Sequence, residues 1–286
     1  MLNAESSSPY AQIGSHIENF SWLPDGKGFI TSSKESEKLN SDIILSRVLL
    51  GRKNLEIKHF YTVPVHEDEL FVSTSRFKWS HDNKWIAFLM VPTASLSADG
   101  NKLCVLSSNG KVFKRVDEML NYEEWFQWAP TRDVLGYISG VGREAMKNKQ
   151  MKTISFPAFV VKDITPRGSV DRDLAWKNNG VLFVSRSKES ELVDISDRPL
   201  PSIFEISKKQ RQVTFPSKNE GDFAPQYLGN TLYWIRTDRK TANILVSRPN
   251  ESKEKQWIKD ITLGTWYYEK WHWDEVFDLY NGTEGR

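Results

Sequence analysis

The sequence predicts an all-β protein, a propeller of four-stranded blades, and three observations carry that expectation. An aromatic motif recurs, as Phe20-Ser21-Trp22-Leu23-Pro24-Asp25-Gly26, Phe77-Lys78-Trp79-Ser80-His81-Asp82-Asn83, Phe126-Gln127-Trp128-Ala129-Pro130 and Leu174-Ala175-Trp176-Lys177-Asn178-Asn179-Gly180. Looser echoes stand at Phe223-Ala224-Pro225, where Pro takes the place of Trp, and at Trp271-His272-Trp273. First positions lie 57, 49, 48, 49 and 48 residues apart, and a fixed period of about fifty with several short strands per unit marks a propeller. Helical periodicity is scarcely visible between the motifs.

Taken in order, residues 1–19 form a polar N-terminal segment with one short strand able to close a ring, and the propeller occupies residues 20–286. Its repeats begin near 20, 77, 126, 174, 223 and 271. In the first, Pro24-Asp25-Gly26 turns the chain: Pro presets φ, Asp bonds back to the backbone and Gly takes positive φ. Strands then follow at Phe29 to Ser32, Ile43 to Val48 and Leu55 to Phe60. The second repeat has strands at Phe77 to Trp79, Trp85 to Met90, Leu103 to Ser107 and Val112 to Val116, the last two joined at Asn109-Gly110, a hairpin signal.

The third runs Phe126 to Trp128, Val134 to Ser139, a basic loop from Gly140 to Lys152, and strands within Phe156 to Asp163; Val116 to Glu124 has room for a helical turn. The fourth has strands at Leu174, Val181, Ile203 and Gln212, and the fifth at Phe223, Leu232, Ile244 and Trp257. The sixth holds only Thr265 to Trp273 and Val276 to Tyr280, so it is incomplete, and a missing upstream blade is expected. An open ring leaves strand edges that invite self-association.

Residues two apart on a strand share a face, so Phe20 and Trp22 point the same way and are expected to fill the wedge between blades. Five of the 11 Trp (Trp22, Trp79, Trp128, Trp176 and Trp273) hold one repeat position. Hydrophobic content of 39% and charged content of 27% are ordinary for a globular chain. A net charge of +2 is too weak and dispersed to indicate nucleic acid. No run approaches the length of a membrane helix, and the N-terminus as written carries no signal peptide. The single cysteine, Cys104, sits in an apolar strand and reads as buried and inert.

Catalytic signatures are lacking. Gly-x-Ser-x-Gly and His-Glu-x-x-His are absent and the five His are scattered, so neither a catalytic residue nor a metal ligand is assigned. Gly140-Val141-Gly142-Arg143-Glu144-Ala145 matches a dinucleotide fingerprint in letters, but a strand–helix–strand setting is missing, so it reads as a loop and no cofactor is expected.

Acidic residues precede the first strand of most repeats: Glu18, Glu123 and Glu124, Asp171 and Asp173, Glu220 and Asp222, and Glu269, whereas the second repeat has Ser75-Arg76. In a propeller these positions meet at one mouth of the channel, where like charges need a cation or a basic partner. Glu18, Glu124, Asp173, Asp222 and Glu269, with Tyr267 from the aromatic run 266–273, are therefore the expected partner-binding residues. The competing reading is that each carboxylate bonds local backbone N–H groups or an Arg or Lys of a neighbouring blade.

The repeats at 20–27 and 77–88 resemble those of TolB-like propeller proteins, strongly in the first three repeats and loosely after. The resemblance implies a bacterial cell-envelope propeller that binds proteins, with no known catalytic residues to carry over. Three functions follow as expectations: a non-catalytic scaffold for a protein partner, the accessory propeller of a prolyl-oligopeptidase-type hydrolase, or a glycan-processing propeller using channel-mouth carboxylates.

Overall fold

A computed structural model of the chain describes residues 16–51, 55–191, 194–248, 254–263 and 272–279. Five antiparallel sheets occur among them, and the chain divides into two compact units, residues 1–79 with 83–117 and residues 80–82 with 118–286.

The first unit opens with β1 (Ile17–Trp22), β2 (Gly28–Lys34), β3 (Ile43–Leu50) and β4 (Leu55–Val63), hydrogen-bonded in sequence order. The turn after β1 is the one its residues call for. The Gly26 N–H donates to the Leu23 carbonyl at 2.9 Å, the Lys27 N–H donates to the Asp25 carboxylate at 3.0 Å, and Gly26 has φ +67°. The second sheet is β5 (Phe71–Thr74), β6 (Lys78–Trp79), β7 (Trp85–Pro92), β8 (Asn101–Ser107) and β9 (Phe113–Met119), with β5 and β6 both pairing with β7.

Side-chain alternation gives each sheet two working faces. Ile30, Ile43 and Leu45 of the first sheet share one apolar cluster with Phe77, Phe88, Cys104 and Leu106 of the second. The Phe-x-Trp face of one blade thus lies on the aliphatic face of the blade before it, and each buried side chain contributes about 1.5–3 kcal/mol.

One expectation fails here. Phe20 and Trp22 do not fill a wedge: they are 57% and 54% exposed, whereas Phe77 is 4% exposed. Their rings instead stand edge-on to Phe29, at 6.0 and 5.8 Å. Phe77 differs in having the first sheet beneath it.

The second unit holds three sheets, each paired in sequence order: β10 (Phe126–Trp128), β11 (Val134–Ser139), β12 (Gln150–Ser155) and β13 (Val160–Asp163); β14 (Ser169–Asn178), β15 (Val181–Lys188), β16 (Ser202–Ile206) and β17 (Gln210–Gln212); β18 (Gly221–Leu228), β19 (Thr231–Thr237), β20 (Thr241–Ser247) and β21 (Lys255–Thr262). The third blade's third strand starts at Gln150, so the basic loop is shorter than the sequence suggested. The Trp176 indole lies against Gly136, where an added Cβ would come within 3.1 Å of the ring. It also donates to the Gln127 carbonyl at 3.0 Å, while Gln127 donates to the Leu174 carbonyl at 2.9 Å. Tyr227 packs in turn on Phe183, with ring centroids 5.7 Å apart.

Pairing register corrects the motif alignment in the fifth blade. Asp171 faces Arg186 and Arg172 faces Ser185, while Asp222 faces Arg236 and Phe223 faces Ile235. Both first strands then bulge, at Asp173 (φ +51°) and Ala224 (φ +46°). Ala224 therefore stands where Asp173 stands, Pro225 matches Leu174, and Tyr227 occupies the slot of Trp176. Asp222 is the counterpart of Asp171, not of Asp173.

The start of the expected sixth repeat, residues 264–271, lies outside the described residues. Its described part departs from the expected strands: Trp273–Val276 is one turn of helix, α1, with Asp274 and Glu275 at the end where the helix dipole favours acids. Trp273 is buried, 5.0 Å from the Phe223 ring.

Candidate functional site

The starts of β14 and β18 carry the buried carboxylates among the described residues of the second unit. Asp171 and Asp222 enter on first strands, and the register sets an arginine of the second strand across from each. Arg186 grips Asp171 with Nε and Nη2, both at 2.6 Å, and the Thr165 hydroxyl donates to the same carboxylate at 2.6 Å. Arg236 grips Asp222 at 2.7 and 2.9 Å and also pairs with Glu254. Such two-pronged, charge-assisted bonds fix geometry as well as charge.

Asp173 has a different set of donors. One oxygen accepts the Trp125 indole N–H at 2.8 Å, and the other accepts the Ala224 backbone N–H at 2.9 Å. One carboxylate thereby ties together the lead-in to the third blade, the first strand of the fourth and the bulge of the fifth. Its burial raises its pKa above the usual carboxylate range, against the pull of these bonds and of Arg172.

Beside it, the one-turn 3-10 helix Glu123–Trp125 leads into β10. Tyr122 stacks on Trp125 with centroids 4.8 Å apart, and its other neighbour is the His272 ring at 5.1 Å. Burial above all, then Glu124 and Asp173, pushes the Tyr122 hydroxyl well above its ordinary pKa.

Four of the six sequence-predicted residues are among the described ones. Glu18 is exposed on β1, on the same side as Phe20 and Trp22, and its charge acts on Lys34. Glu124 is half-buried in the turn before β10. Asp173 and Asp222 are buried, with their oxygens taken up by the donors just described. Glu269 and Tyr267 lie outside the described residues.

Sequence reasoning missed the arginine partners. The available signal was spacing, since Asp171 to Arg186 and Asp222 to Arg236 are 15 and 14 residues apart, the span of a hairpin arm and back. It also missed Lys149, which is fully buried and donates to the Val141 and Lys147 carbonyls and the Asn148 side chain at 2.9, 3.0 and 2.9 Å. That lysine organises the loop after Gly140, which is the structure of the nucleotide-fingerprint letters. Cys104 is a free, buried thiol whose pKa burial pushes up to about 12. A cavity of about 320 Å³ lies between the third and fourth sheets and has Thr153, Lys162, Trp176, Ser207, Lys208 and Gln210 among its lining residues, none of them predicted.

No family model matches the sequence, and no curated protein does. Solved structures do match. A puromycin hydrolase is 11% identical, with a TM-score of 0.55 over 90% of this chain and 40% of that one. A puromycin-hydrolyzing peptidase of Mycobacterium tuberculosis is 12% identical, with a TM-score of 0.55 over 84% of this chain and 36% of that one. A structure assigned as TolB from Agrobacterium tumefaciens is 11% identical, with a TM-score of 0.45 over 85% of this chain and 82% of that one. The chain spans about two fifths of the length of the hydrolases it matches. At these identities the likeness shows the fold alone, and the chain is a β-propeller of four-stranded blades.

Proposed function

We propose that the chain is a non-catalytic propeller that binds a protein partner through the outward face of β1. One observation carries this reading. Glu18, Phe20 and Trp22 are all exposed on one side of that strand, although Phe77, on the corresponding face of the second blade, is buried against an aliphatic sheet. The occupant that fits is therefore a β-sheet of a partner protein, offering branched aliphatic side chains as Ile30, Ile43 and Leu45 do, with a basic residue for Glu18. Exposed aromatics of this kind mark interaction sites. The cell-envelope setting implied by the TolB-like repeat belongs to the same proposal.

Non-catalytic action is supported by the fate of the buried acids. Asp171, Asp173 and Asp222 are the buried carboxylates among the described residues, and each is engaged by built-in donors. A glycan-cleaving propeller needs carboxyls that are available to the sugar.

A second reading, the accessory propeller of a prolyl-oligopeptidase-type hydrolase, is favoured by the peptidase structures and by the share of their length that this fold occupies. Placing a photo-crosslinking amino acid at position 22 and mapping the captured peptide separates the two. An aliphatic strand of a chain without serine-hydrolase labelling supports the scaffold. A chain that a fluorophosphonate probe labels supports the accessory propeller. Crosslinks confined to this chain's own residues overturn both.

A further inference from the structure

We propose that Glu124, His272 and Asp274 form a binding site for a first-row divalent cation, with Zn²⁺ the ion that fits best. One ligand atom from each of the three lies within 4.8 Å of the others. Tetrahedral ligands at bond lengths near 2.1 Å stand roughly 3.4 Å apart, so small side-chain rotations close the set. Two carboxylates and one imidazole suit zinc better than magnesium or calcium, which favour oxygen alone, and three protein ligands leave one position for water.

The backbone on both sides of the site is anchored by contacts that do not involve the three donors. Glu124 sits in a turn closed by the Trp125 N–H donating to the Tyr122 carbonyl at 3.1 Å, and its own carbonyl accepts from Gln127 at 3.2 Å. His272 and Asp274 flank Trp273, whose buried indole packs on Phe223. Farther along, Gln226 donates to the Phe277 carbonyl at 2.9 Å and accepts the Leu279 N–H at 2.7 Å. The chain thus brings two acids together from positions 150 residues apart in sequence, and the Tyr122 ring limits the tilt of the imidazole from one side. Negative charge gathers here, since Glu124 and Asp173 both act on the Tyr122 hydroxyl. A bound cation would clasp the segment after the fifth blade to the entry of the third.

The test uses the full chain, stripped with a chelator and titrated calorimetrically with ZnCl₂ near neutral pH, with the melting temperature read alongside. The expected result is one equivalent bound and a rise in Tm, because a ligand that binds only the folded state stabilises it. Glu124→Gln, His272→Gln and the exposed Asp274→Asn should each weaken binding by at least about tenfold, while Phe20→Ser leaves it unchanged. The proposal is overturned if zinc produces neither heat nor a Tm shift, or if the variants bind as the parent does. It is also overturned if His272→Gln lowers the Tm equally with and without zinc, because the imidazole then serves the fold and not a cation. Asp274→Asn keeps the test decisive should the partly buried variants misfold. None of these readouts depends on the partner proposed for β1.

Discussion

The carboxylate of Asp173 accepts the indole N–H of Trp125 at 2.8 Å, a bond between positions 48 residues apart. With the Ala224 N–H on its other oxygen, the side chain faces two donors and is a pure acceptor in its ionised form.

Asp173→Asn should therefore be destabilising although it is nearly isosteric. The amide offers one acceptor, and its NH₂ must meet either the indole or the Ala224 N–H. Leaving one buried donor unsatisfied costs about 1–3 kcal/mol. Urea denaturation of the variant checks this, and an unchanged midpoint would show that the two bonds contribute nothing net.

Burial of the same carboxylate predicts a pH effect. Burial holds the folded-state pKa of Asp173 above its unfolded value. Its contribution to stability is then fully present below the unfolded pKa and is lost as pH rises through the folded one. The stability gap between the parent and the non-titrating Asp173→Asn should widen as pH falls from neutral into the carboxylate range. A gap that narrows on acidification would refute the sign.

Asp171 and Arg186 should behave as a unit. Removing either partner leaves a buried charge alone, which costs about 3–5 kcal/mol. Replacing both by apolar residues of similar size should cost much less than the sum of the single changes. A double-mutant cycle measures the difference, and additive single effects would contradict the pairing.

One motif should give two energies. Phe77→Ala empties a buried site and should cost about 3–5 kcal/mol. Phe20→Ser loses only an edge contact on Phe29 and should cost no more than about 1.5 kcal/mol, yet it should abolish crosslinking through position 22. Equal losses of stability at the two positions would mean that the β1 face is covered in the isolated chain.

Much of the fold was legible because blade strands are short, local and separated by turn residues whose conformations are chemically determined, as at Asp25-Gly26. The fifth blade was misread for a definite reason. A bulge inserts a residue without changing residue types, so Phe223-Ala224-Pro225 imitates the motif while standing two places out of step. Nothing in the letters of Ala224 announces its positive φ. The acids were visible as residues, but their roles depended on what stands opposite, and only strand register supplies Arg186 and Arg236. His272 and Asp274 meet Glu124 through the packing of Trp273, which no local pattern encodes.

A solenoid or ring whose repeats touch only their nearest neighbours can unravel one unit at a time. The single Asp173 side chain bonds to both blades that flank its own, through Trp125 and Ala224, and so couples three units at one point. Loosening either outer blade therefore exposes a carboxylate that the middle one has buried. The three blades should melt in a single transition, and cutting the chain between any two of them should release the whole block rather than shorten it.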